Sequence, residues 1–100
     1  MLSNLSSFQE QIDAIYGSRN TRRGVEGVVL HLVEELGELA RSIRREDRRR
    51  QKEELGDLLT WVSSLASVLG ISLEEAVQRY SEACPYCAAK PCTCPDPRHH

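Results

Sequence analysis

Two short acidic motifs carry residues that could do chemistry. Glu34, Glu35 and Glu38 stand in the segment EELGE, and Glu53, Glu54 and Asp57 stand in EELGD. On a helix, positions three apart are neighbours on one face, so Glu35 adjoins Glu38 and Glu54 adjoins Asp57. Both pairs border apolar residues at helical spacing: on the helical wheel Glu35 lies about 100° from Leu36, and Glu54 about 40° from Leu58. If the two apolar stripes pack together, four carboxylates converge. They cannot share a small space as free anions, because like charge and burial both disfavour ionisation. Protonation or a bound cation resolves the conflict, and hard carboxylate oxygens suit Mg²⁺ or Mn²⁺. A divalent cation shared between carboxylates and substrate phosphates points to hydrolysis at phosphorus. The competing account is a pair of solvated helix faces whose acids pair with arginines. The duplicated pattern weakens it, since solubility does not call for acids beside the core side of two helices.

The elements that must position these acids are helical. Val29, Leu32, Val33, Leu36, Leu39, Ala40 and Ile43 fall on one stripe of a helix running from about Val25 to Arg45. Leu55, Leu58, Val62, Leu65 and Leu69 form the stripe of a helix from about Arg48 to Leu69, with Gly70 as its C-cap. The charged RREDRRR segment can hold a turn between them, although its residues are also good helix formers. Ser7 and Glu10 make a capping box for a first helix over 7–17, ended by Gly17, and SRNTRRG (18–24) reads as a loop. Ser72 and Glu75 cap a fourth helix over 73–82. The expectation is an all-α, four-helix bundle over 1–83, followed by a Cys-rich tail over 84–100.

Composition excludes several classes. One hundred residues make one domain, and five aromatic residues argue against a strand-rich sandwich. The net charge of −2 gives no reason to expect nucleic acid as a partner. The uncharged stretch beginning at Leu58 carries Thr60, Ser63, Ser64 and Ser67 and falls short of the roughly 20 apolar residues of a membrane span. No signal peptide is visible at the N-terminus, so the cytoplasm is the expected compartment.

All four cysteines fall in the tail, as Cys84-x-x-Cys87 and Cys92-x-Cys94. In a reducing compartment such a cluster favours structural Zn²⁺ over disulfides, although the second pair is tighter than a common CxxC. Unliganded or oxidised thiols are the alternative. Tyr86, Lys90 and Arg98 are the tail residues that would serve a nucleic-acid-binding knuckle. His99 and His100 read equally as native residues or as the remnant of a tag.

The acid motifs resemble those of the MazG-like nucleotide pyrophosphohydrolases, in the all-α NTP pyrophosphohydrolase superfamily. The family signature EExxE, a spacer, then ExxD stands here as Glu34, Glu35, Glu38, Glu54 and Asp57, with 15 residues between Glu38 and Glu54. The segments LVEELGELARSIR and EELGDLLTWVSSLASVLGISLEEAV are similar to its second and third helices and the start of its fourth. The likeness covers about 8–94 and includes the CPYC…PCTC tail found in a subgroup of small members. The resemblance implies cleavage of a nucleoside triphosphate between the α- and β-phosphates, giving the monophosphate and pyrophosphate, in nucleotide-pool clean-up. It implies that Glu35, Glu38, Glu54 and Asp57 hold Mg²⁺, and that Glu34 is a further ligand or a base orienting water. It also implies a homodimer or homotetramer whose pocket uses partner residues. One departure is the fourth helix: relatives carry a Lys and an Asn there for phosphate, whereas AVQRYSEACP offers Arg79 as its basic residue. The alternatives are a phosphoribosyl-ATP pyrophosphohydrolase and a non-enzymatic helical interaction module with a zinc knuckle.

Other residues could contact substrate. His31 shares the face of Glu35 and Glu38, where it could contact substrate, accept a proton or simply be a hydrogen-bonded helix residue, and Trp61 lies one turn beyond Asp57, where it could stack on a base or pack in the core or at a subunit interface. Residues 41–52 carry seven Lys or Arg against two acids; most suit a solvated segment, and Arg44 and Arg45 are the candidates for phosphate. Arg22 and Arg23 precede the second helix and have an equally open role.

Overall fold

The computed structural model describes residues 4–95, so Arg98, His99 and His100 lie outside the described residues. Its body is two helices, α1 (Leu5–Arg44) and α2 (Arg48–Val68), followed by one helical turn, α3 (Leu73–Ala76), and a 3₁₀ turn over Gln78–Tyr80. All regular structure among the described residues is helical. The arrangement departs from the expected four helices at two places, with three α-helices among the described residues.

The first is continuity across 18–24. Asn4, rather than Ser7, caps α1 by accepting from the Ser7 N–H. Gly17 does not end the helix: its carbonyl accepts from the Thr21 hydroxyl at 3.0 Å and the helix runs on. The residues of SRNTRR are all tolerated in helices, and the break falls only at Gly24, with φ 71 and ψ 177. That conformation is close to a glycine preserve. The expected first and second helices are thus the two arms of one kinked element.

The second is the bend after α2. Gly70, at φ 72, sits where a C′ glycine is expected. The Gly70 and Ile71 N–H groups donate to Ser67 and Ala66 carbonyls at 3.0 and 2.8 Å, a Schellman closure. Gln9 of α1 secures the bend: its amide donates to the Ser67 hydroxyl and the Ile71 carbonyl, and its oxygen accepts from the Leu73 N–H. Ser72 caps α3 as expected. The helix expected over 73–82 nevertheless ends at Ala76, and no residue of that stretch is buried against the body.

The charged RREDRRR turn does hold the α1–α2 connection. Glu46 takes the left-handed position at φ 53, the Asp47 N–H donates to the Ser42 carbonyl, and the Asp47 side chain caps α2. With so short a turn, α2 runs back antiparallel to α1. Gln51 reaches Ser42 near the turn, Asn20 bonds Ser64 midway, and Gln9 bonds Ser67 at the far end.

The seam between the helices is narrow and made largely of small and polar residues. Ile12, Asn20, Val28 and Ser42 from α1, and Glu54, Ser63, Ser64 and Ala66 from α2, are its buried members. The apolar stripe expected to face inward on α1 is largely uncovered: Val29, Val33, Leu36 and Ile43 are exposed, as are Leu55, Leu59 and Leu69 on α2. A single chain therefore half-covers one edge of each stripe and leaves the other edge to solvent.

Candidate active site

The seam brings Glu35 of α1 against Glu54 and Asp57 of α2. One carboxylate oxygen from each lies within 4.8 Å of the others. Glu35 faces α2 because it follows Val28 by seven residues and precedes Ser42 by seven, two helical turns each way along the buried line. Glu54 and Asp57 share a face because they are three apart.

The three carboxylates live in different surroundings. Glu54 is buried at 4% exposure, and one oxygen is 2.6 Å from the Arg50 guanidinium. Glu35 is partly buried, and its Oε2 lies out of solvent with no hydrogen-bond partner. Burial pushes the Glu35 carboxyl up to about 7, helped by hydrogen bonding with Glu54 and by the negative charges of Asp57, Glu54 and Glu38. Asp57 is raised by burial of its inner edge and by the charges of Glu54 and Glu53, against the opposing pull of Arg50. The cluster carries more negative charge than its one close cation offsets.

The other two acids of the motif stand outside this trio. Glu38 pairs with Arg41 at 3.8 Å, one turn on from Glu35. Glu34, expected as a ligand or base, has its side chain 72% exposed and 3.3 Å from His31 Nδ1. Position i−1 to an inward residue turns about 100° away from the seam, so the residue that faces inward is Glu35.

A cleft of about 440 Å³ opens beside the trio, walled by Glu35 and Asp57 and by Tyr16, Asn20, Arg23 and Trp61. The His31 and Trp61 rings stack at 4.5 Å with 8° between planes. The Arg23 guanidinium lies over Trp61 at 5.0 Å and donates to Asn20 Oδ1. Asn20, 2% exposed, donates in turn to the Ser64 hydroxyl. Trp61 thus stands in the cleft wall rather than in a closed core, and His31 braces it.

The expected phosphate contacts are distributed differently. Arg45 lines a second cleft, with Glu38, Arg41 and Arg50, on the turn side of the trio. Arg44 is an exposed residue at the end of α1. Arg79 is engaged elsewhere, over the rings of Tyr80 and Tyr86. The cation in the wall of the cleft is Arg23. The face that carries Tyr16 and Asn20 is not visible from the sequence while 18–24 reads as a loop. With the helix continued, Ile12, Tyr16, Asn20 and Arg23 recur at i, i+4, i+8 and i+11 on one face.

The trio fits a divalent cation. Its donors are hard oxygens, their separations allow one ion to be shared, and a buried oxygen of Glu35 lacks any donor. The four cysteine sulfurs form a second compact group, also within 4.8 Å of one another.

No helix among the described residues is long and apolar enough to cross a membrane. Residues 23–84 match the model of the MazG nucleotide pyrophosphohydrolase domain, a span that holds all five acids of the motif. The chain is also similar to the uncharacterized protein YpjD of Bacillus subtilis (strain 168), at 42% identity over 62 residues. That match takes in 52% of this chain and 56% of the relative, so the chain spans little more than half of that protein's length. The matched span and the inward-facing acids agree: this chain belongs to the MazG nucleotide pyrophosphohydrolase domain family.

Proposed function

We propose that this protein hydrolyses nucleoside triphosphates to the monophosphate and pyrophosphate, with Mg²⁺ or Mn²⁺ held by Glu35, Glu54 and Asp57, in the clean-up of nucleotide pools. The observation that carries this reading is the convergence of three carboxylates, one with an orphaned buried oxygen and two in the wall of a cleft that also holds a cation and an aromatic ring. When bound, the ion would neutralise phosphate charge and make water a better nucleophile.

The chain's own residues have distinct parts. Glu35, Glu54 and Asp57 would hold the cation, and Arg50 holds the Glu54 carboxylate in place. Glu38, one turn from Glu35 and paired on its solvent side with Arg41, would be a further carboxylate ligand. Arg23 receives a phosphate oxygen, and Asn20 fixes its guanidinium. Trp61, with His31 stacked on it and Arg23 over it, walls the space left for the base. The cysteines of the tail take no part.

The working unit in this reading is a homodimer or a dimer of dimers. Leu30, Val33 and Leu36 are 67%, 61% and 56% exposed along one arm of α1, a row that a second copy would cover. Light scattering checks this, and a monodisperse monomer at working concentration would count against it.

The test of activity is pyrophosphate release across a panel of ribo- and deoxynucleoside triphosphates, with phosphoribosyl-ATP included. Mg²⁺-dependent release of monophosphate and pyrophosphate is expected, lowered more than about 100-fold by Glu35→Gln or Asp57→Asn. Neither change should lower metal-free stability, because each removes a repelled charge. Absence of turnover on every nucleotide, or full turnover in either variant, would overturn the reading.

A further inference from the structure

We propose that Cys84, Cys87, Cys92 and Cys94 bind one Zn²⁺ as a closed tetrathiolate site that folds the tail, independently of the acidic cluster and of the proposed hydrolysis.

The spacing of the sulfurs suits a shared ion better than a bond. Cys84 and Cys94 Sγ are 3.8 Å apart, and Cys87 and Cys92 Sγ are 3.9 Å apart. A disulfide requires about 2.05 Å. Thiolates bound to zinc at about 2.3 Å in a tetrahedron lie about 3.8 Å from one another along its edges. Both measured pairs match that edge, and all four sulfurs lie within 4.8 Å of each other.

The backbone around the sulfurs is arranged for thiolate. The Thr93 N–H donates to Cys87 Sγ and the Cys94 N–H to Cys92 Sγ, each at 3.3 Å. Hydrogen bonds of this kind offset charge on sulfur. The first pair sits on a tight turn, in which the Cys84 N–H donates to the Ala89 carbonyl and the Ala88 N–H to the Cys84 carbonyl. Ala88, immediately after Cys87, is held at φ 61, a conformation an alanine keeps only when its surroundings impose it.

No hydrophobic core imposes it. None of residues 84–95 is buried. The tail's aromatic tie to the body is Tyr86 under the Arg79 guanidinium at 5.0 Å, with Tyr80 at 5.6 Å. A short exposed segment with a strained turn needs a cross-link, and a metal joining four points of the loop supplies one. Soft thiolate donors in this number select Zn²⁺, and four of them leave no open coordination position, so the site is structural. Binding releases the protons of whichever cysteines are still thiols. Arg79 then acts as the strut that seats the folded tail on the last turn of the body.

The experiment is metal analysis of the full chain, purified and reconstituted with Zn²⁺ under reducing conditions, beside a His99→Ala/His100→Ala variant that removes the terminal imidazoles. One zinc per chain is expected in both. Substitution with Co²⁺ should give the absorption of a tetrahedral tetrathiolate, and Cys84→Ser/Cys94→Ser should lose it. Chelation should open 84–95 to protease while leaving the helical circular dichroism of the body in place. Zinc below one atom per ten chains, loss of zinc in the histidine variant, or an intact mass showing two disulfides in the protein as isolated would overturn the proposal.

Discussion

Glu35 and Glu54 meet across the α1–α2 seam, yet only Glu54 has a cation at hand. Arg50 lies 2.6 Å from Glu54, while the buried Oε2 of Glu35 has no partner. The seam is therefore half neutralised. Replacing Arg50 with Met should leave the buried Glu54 unpaired and lower stability by about 1–3 kcal/mol. Part of that loss should return on adding Mg²⁺. Chemical denaturation with and without the ion measures both numbers, and an unchanged midpoint in the metal-free variant would show that the pair contributes nothing.

Acidity at Glu35 sets a pH dependence whose sign is fixed. Its carboxyl is raised from 4.5 to about 7 by burial, by hydrogen bonding with Glu54 and by its acidic neighbours. A carboxyl raised in the folded state contributes stability that is complete below its unfolded value and is lost as pH rises through the folded one. The metal-free melting temperature should fall by several degrees between about pH 5 and about pH 8 on this account. The stabilisation given by Mg²⁺ should grow over the same range, because the ion binds the ionised carboxylate. Differential scanning across pH checks both slopes, and parallel curves with and without Mg²⁺ would refute the assignment.

Arg23 should matter for substrate more than for the fold. It lies over Trp61 and is tied to Asn20 in the wall of the cleft. Arg23→Ala should raise KM for a nucleoside triphosphate about 10-fold or more, the loss of one charge-assisted hydrogen bond. Arg23→Lys should restore only part, since an ammonium lacks the planar fork. Steady-state kinetics on both variants decide this; unchanged KM in Arg23→Ala would move the phosphate contact elsewhere.

Gly24 shapes the site from a distance. Its φ of 71 and ψ of 177 turn the helix just after Arg23, and a Cβ built there meets nothing within 4 Å. Gly24→Ala should cost about 1–3 kcal/mol through backbone strain alone. The same variant should weaken nucleotide binding if the bend is what presents Arg23. A thermal melt and a titration with a non-hydrolysable nucleotide separate the two effects.

Much of this molecule follows from local sequence. Spacing alone put Glu54 beside Asp57, because three residues on a helix bring two side chains to one face. The glycine closure at Gly70 and the Ser72 cap also follow from chemistry within a few residues. So does the grouping of the cysteines.

What local chemistry could not decide was which edge of each helix turned inward. Glu34 and Glu35 differ by one position and have the same side chain, and only packing against α2 buries one and exposes the other. The course of 18–24 was likewise undecided, since Ser, Arg, Asn and Thr serve helix and loop alike. It was settled by contacts far along the chain, where Ser64 receives Asn20 and Ser67 receives Gln9. Arg79 shows the same division: sequence supplied the cation, and the folded tail put Tyr86 beneath it. Helical periodicity specifies a face to within a stripe, whereas the rotation that chooses a residue within the stripe depends on the shape of the surface opposite.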